Sequence, residues 1–129
     1  IVYMYDHDGS SLWELENGLN GNIIAPVNWT GDGRDLILLN PDTVGGGMID
    51  GHGGQAVVFP KDGHPELCCE VIDLTGDPRD EIVVWDQKRM FIYTQDNQLE
   101  GKVYQPEKYP RWNSSNYRGE YSMPDKTYL

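Results

Sequence analysis

Apolar and polar positions along the chain fall in short runs, not in helical stripes. Val2-Tyr3-Met4-Tyr5, Leu12-Trp13-Glu14-Leu15, Leu36-Ile37-Leu38, Val57-Val58-Phe59, Leu67-Cys68-Cys69-Glu70-Val71, Ile82-Val83, Phe91-Ile92-Tyr93 and Lys102-Val103-Tyr104 each read as a strand. Between them stand Asp8-Gly9, Asp62-Gly63 and Asp96-Asn97. Such pairs supply the positive φ that hairpin turns need. No stretch beyond about ten residues keeps a 3.6-residue period free of Gly or Pro, so the pattern predicts an all-β chain.

The runs repeat. Val27-Asn28-Trp29-Thr30-Gly31-Asp32-Gly33-Arg34-Asp35-Leu36-Ile37-Leu38 recurs 45 residues later (27 to 72) as Ile72-Asp73-Leu74-Thr75-Gly76-Asp77-Pro78-Arg79-Asp80-Glu81-Ile82-Val83. Thr, Gly, Asp, Arg and Asp match position for position, and an apolar run follows each copy. A period of this size belongs to propeller blades or solenoid units. The unit of strand, turn, strand, acidic loop and strand predicts antiparallel four-stranded blades of a β-propeller, with repeat units near 1–40, 41–85 and 86–129. At this period, 129 residues supply not quite three blades. The expectation is therefore an arc of a larger ring, completed by the remaining blades of a parent chain or by self-association. The copies differ between the acidic loop and the next turn, where the first carries the Gly-rich stretch Pro41–Gly54. That stretch reads either as an insertion displaying function or as a slack surface loop.

Composition narrows the possible partners. Lys and Arg total 10 against 21 Asp and Glu, a formal net charge of −11. This balance argues against nucleic acid and against an anionic membrane surface, both of which need clustered cations. No apolar run approaches the roughly 20 residues of a membrane span. The chain starts on Ile without a targeting segment and reads as an excised or processed piece. Eight Tyr and four Trp against two Phe favour aromatics with one wet edge, as in carbohydrate-binding surfaces. Cys68 and Cys69 are neighbours on one strand and point to opposite faces. They read as small apolar residues or, alternatively, as a strained vicinal disulfide or redox pair.

The acidic loops are the candidate metal sites. Asn28, Thr30 and Asp32 in one copy, and Asp73, Thr75 and Asp77 in the other, hold oxygen donors at positions 1, 3 and 5 around a glycine. Glu81 stands at position 9 of the second loop, where a carboxylate can close a Ca2+ shell; the first loop has Leu36 there and is the weaker candidate. The alternative is that these side chains cap the turn through its own amides. Arg34 and Arg79 hold equivalent places and read as structural, bridging blades by bidentate contact with a carboxylate. His7 and His64 sit beside turn residues and read as solvated. Asn28-Trp29-Thr30 and Asn113-Ser114-Ser115 also fit the N-glycosylation pattern.

The repeats resemble those of FG-GAP-type β-propellers. The form Asp-x-x-Gly-Asp-x-Arg-x-Glu-Ile, present from Asp73 to Ile82, more narrowly resembles the C-terminal blades of secreted rhamnogalacturonan-lyase-like polysaccharide lyases. The run from Trp112 to Pro124, closing on Tyr128-Leu129, resembles the segment that ends such a propeller. The resemblance implies a secreted or extracellular protein that binds calcium and cleaves an acidic polysaccharide by β-elimination. The alternative it leaves open is a non-catalytic, calcium-stabilised module that binds glycan or protein. Elimination at a uronate needs its carboxylate neutralised and a base to take the adjacent proton. The candidate bases are His52 and Tyr117, and Arg118 is the candidate partner of the carboxylate.

Overall fold

The computed structural model describes residues 1–16 and 25–98. Among them are nine strands and no helix: β1 (Val2–Tyr5), β2 (Ser11–Leu15), β3 (Ala25–Val27), β4 (Leu36–Asn40), β5 (Gly47–Ile49), β6 (Gln55–Val57), β7 (Cys68–Ile72), β8 (Glu81–Trp85) and β9 (Met90–Tyr93). All pairings are antiparallel between sequence neighbours, and they form three sheets: β1-β2, β3-β4-β5-β6 and β7-β8-β9. The second sheet is a complete four-stranded meander. The expected strand 102–104, and with it Tyr117 and Arg118, lies outside the described residues.

The sheets pack face on face, and the sequence of β4 shows why. Leu36, Leu38 and Met48 meet Cys69, Ile82 and Val84 of the third sheet, with Val27 and Phe59 in the same core. Ile37, Leu39 and Ile49 meet Val2, Trp13 and Leu15 of the first sheet. A strand covered on both faces reads as a continuous apolar run instead of an alternation, and Leu36-Ile37-Leu38-Leu39 is such a run. The repeat fixes the direction of the stack. Ile37 and Leu39 face the preceding sheet, and so do their equivalents Ile82 and Val84. Backbone bonds reinforce the second junction: Asp80 N donates to Asn28 O (3.0 Å), and Asn28 N donates to Asp80 Oδ2 (2.8 Å). Asn28 is buried by this contact, so the folded chain does not offer it as a glycosylation acceptor.

Two expectations change. Pro41–Gly54 is not a loop, because it contains β5, an inner strand of the second sheet, and the turn from β5 to β6. Two of its glycines, Gly46 and Gly47, are required by close packing. A Cβ on Gly46 would stand 2.2 Å from Asn40 Oδ1, and one on Gly47, at φ 90°, would stand 2.2 Å from Val57 O. Second, Asp8-Gly9 turns a true hairpin, but Asp62-Gly63 carries the chain from the second sheet to the third. The divisions at 40/41 and 85/86 each fall between the second and third strands of a sheet. Sheets and sequence units are thus offset by the same phase in both copies.

Candidate functional site

The first acidic loop and the β5–β6 turn meet at one end of the second sheet. Thr30, Asp32, Arg34, Asp35, Leu36, Asp50, Gly51 and His52 line an open hollow there. Asp50 shapes the turn: its Oδ1 accepts His52 N (2.8 Å) and Gly54 N (2.9 Å), which holds its carboxyl below the usual range. Trp13 supports the turn from below, with Nε1 donating to Gly51 O at 2.9 Å and its ring against Gly53. His52 is exposed on this rim. Asp32 Oδ1 accepts the Thr30 hydroxyl (2.6 Å) and Arg34 N (3.0 Å), and these bonds lower its pKa. Burial, and then the neighbouring Asp80, push Asp35 upward.

The equivalent arginines have separated in role. Arg79 is 8% exposed; its Nε and Nη2 meet Asp77 at 3.2 and 2.9 Å, and Nη1 donates to Asn97 O at 2.7 Å. Its bidentate partner lies in its own loop, not on a neighbouring sheet as the sequence suggested. Arg34 is exposed at the hollow and makes no ion pair among the described residues. The visible signal is the residue before each arginine. Gly33 takes φ 86°, which Pro78 in the other copy cannot adopt, so the two loops cannot share one conformation.

The candidate calcium donors are engaged with the protein itself. Glu81 is 1% exposed; Oε2 accepts Leu74 N (2.6 Å) and Thr75 N (3.1 Å), while Oε1 accepts the hydroxyls of Thr75 (3.0 Å) and Thr94 (3.4 Å). Asp77 is held by Arg79, and Asp73 Oδ1 accepts Gly76 N at 3.2 Å. In the first loop Asn28 turns away from Thr30 and Asp32, its Nδ2 donating to Pro78 O at 2.6 Å. No three of His, Cys, Asp and Glu converge to hold an ion among the described residues.

No family model, curated protein or solved structure matches the chain.

A second polar cluster escaped the sequence reading. His64 is buried, not solvated, among Phe59, Phe91 and Tyr93. Nε2 lies 2.7 Å from Pro41 O, and Nδ1 lies 2.7 Å from Asp62 Oδ1. Both neighbours are acceptors, so the two contacts are satisfied together only when both ring nitrogens carry protons, as in an imidazolium. Tyr93 OH donates to Asp62 Oδ2 at 2.8 Å. Burial alone would lower the His64 pKa, but Pro41 O and Asp62 outweigh it and the net shift is upward. For Asp62, desolvation is outweighed by the bonds from Tyr93 and His64, and its pKa falls to about 2. The two thiols are free, with Cys69 buried and Cys68 half-buried, as neighbours on β7 facing opposite ways.

Proposed function

We propose that the chain is an arc of a β-propeller that binds an acidic polysaccharide through its uronate carboxylates. One observation carries this reading: of two arginines at the same repeat position, Arg79 is consumed inside its loop, while Arg34 presents its guanidinium to an open hollow. A guanidinium fork matches a carboxylate bidentately, and each such charge-assisted bond is worth about 1.5–3 kcal/mol. The remaining lining is rich in carboxylates, which suits sugar hydroxyls as acceptors and selects against densely charged anions. The stacked-sheet architecture supports the propeller, and such polymers place the protein outside the cell.

The test is calorimetric titration with galacturonate oligomers. Arg34→Ala weakens binding at least tenfold, Arg34→Lys recovers part of it, and the neutral reduced oligomer binds poorly to the parent chain. Equal affinity in parent and Arg34→Ala would refute the assignment.

A lyase reading is favoured by one further observation, that His52 stands on the same rim as Arg34. Arg34 would neutralise the carboxylate and His52 would take the adjacent C–H proton. That electron pair would form the C=C bond as the β C–O bond to the next sugar breaks, and the departing alkoxide would take a proton from water or from the His52 imidazolium. Ultraviolet absorbance of an unsaturated uronide product, lost in His52→Ala with binding retained, separates lyase from binding module. Calcium has no step in either reading. Occupation of an acidic loop would require exchange of the bonds that now close it, so we propose that any such binding is weak, at about 10⁻⁴–10⁻³ M.

A further inference from the structure

The repeat generates the stack by one recurring operation, and that operation leaves a defined face at each end. Leu38 and Met48 of the second sheet pack on the third. Their equivalents by strand register on the third sheet are Val83 and Ile92, which pair with each other across β8 and β9. They point away from the second sheet; Val83 is buried at 8% exposure, whereas Ile92 is 53% exposed and Met90 beside it 65%. At the other end Val2 and Leu15 pack inward, so the alternating Tyr3 and Tyr5 point outward with stacked rings 6.2 Å apart. Tyr3 is 49% exposed, and Leu12 flanks the pair at 57%.

We infer that these two faces meet between copies, the exposed Met90–Ile92 edge of one chain seating on the Tyr3–Tyr5 face of the next. The occupant follows from continuity with the internal junctions, because every junction joins the trailing face of one sheet to the leading face of the following one. The end faces are the two halves of one more such junction. The contact is heterologous, so it propagates head to tail towards a ring or a filament and does not stop at a symmetric pair. The charge of −11 per chain opposes it, and raised salt therefore strengthens it. This inference rests on the stacked-repeat part of the reading above and not on its glycan.

The experiment is sedimentation velocity of the full chain over a concentration series, without glycan. The native chain rises above 14.7 kDa with concentration, and more steeply in high salt. Ile92→Lys and Tyr3→Lys each disable one face and stay monomeric, although each lowers the net negative charge. Mixed together, they form a one-to-one dimer and nothing larger, since one intact face remains on each. The inference is overturned if the native chain stays monomeric to about 1 mM, if association survives both substitutions, or if the mixture fails to dimerise. Circular dichroism confirms that both variants fold. A glycan titration on Ile92→Lys, whose hollow is untouched, tests the binding reading separately.

Discussion

Replacing His64 with glutamine removes a buried cation that ties three parts of the chain together. The imidazolium bridges Pro41 O, at the end of β4, and Asp62, in the connection to the third sheet, while Tyr93 of β9 anchors the far oxygen of Asp62. Two charge-assisted bonds are lost, each worth about 1.5–3 kcal/mol. Glutamine restores at most one neutral bond, worth about 1 kcal/mol, which leaves a net loss of about 2–5 kcal/mol. For a chain of this size that corresponds to roughly 8–20 °C in Tm. The pH dependence is more diagnostic than the loss itself. The folded pKa of His64 is raised above its unfolded value of 6.5. Its contribution is thus complete below pH 6.5 and declines as pH rises through the folded pKa, where the native state holds the extra proton. The slope reaches at most about −1.4 kcal/mol per pH unit for one proton. Glu66 faces the ring and strengthens this trend, while Arg89, which donates to Gly63 O, bears on the same connection from β9's leading turn. The assay is thermal unfolding followed by circular dichroism from pH 5 to 9, with parent and His64→Gln side by side. A negative slope in the parent that is absent from His64→Gln supports the imidazolium. Equal slopes in the two proteins would refute it.

Other expectations follow from single contacts. Glu81→Gln keeps the shape but replaces one acceptor oxygen with an NH2 that only the Thr75 and Thr94 hydroxyls can meet, costing about 1–2 kcal/mol in urea unfolding, whereas Glu81→Leu strands two amides and costs about 3–5 kcal/mol. Gly47→Ala sets a methyl against Val57 O at a positive φ and destabilises by about 3 kcal/mol or more, read as a fall in Tm with loss of protection in β6. In the folded protein iodoacetamide labels Cys68 alone, because burial, then Glu70 and Cys68, push the Cys69 thiol up to about 12. Mass spectrometry should count one adduct before unfolding and two after it.

The strands rich in Val, Ile and aromatics were legible in the sequence because their composition and their bounding turns agree. β5 was not. Gly47-Met48-Ile49 follows two glycines and carries little strand propensity, and it is a strand because β4 and β6 accept its backbone at a distance only glycine permits. The phase of the repeat was displaced for the same reason, since β9 matches β5 and not the Val57–Phe59 run. At the site, His52 and the Thr30–Asp32 pair were visible as candidates, but not their convergence, which depends on the β5–β6 turn. The role of His64 was hidden because a histidine beside an Asp-Gly turn looks solvated until Phe59 and Tyr93 close over it.

The burial of β4 on both faces bears on how the chain opens. Among the described residues each sheet touches only its sequence neighbours, so the free energy of the described stack is a sum of sheet terms and two junction terms. Opening is cheapest at the outer sheets, each of which gives up a single junction, and dearest at the middle one. Amide exchange should therefore be graded along the chain, slowest at Leu38 and Leu39 and fastest in β1, β2 and β9. The centre of the protein is thus a kinetic keystone, and its lifetime is set by the two neighbours that cover it.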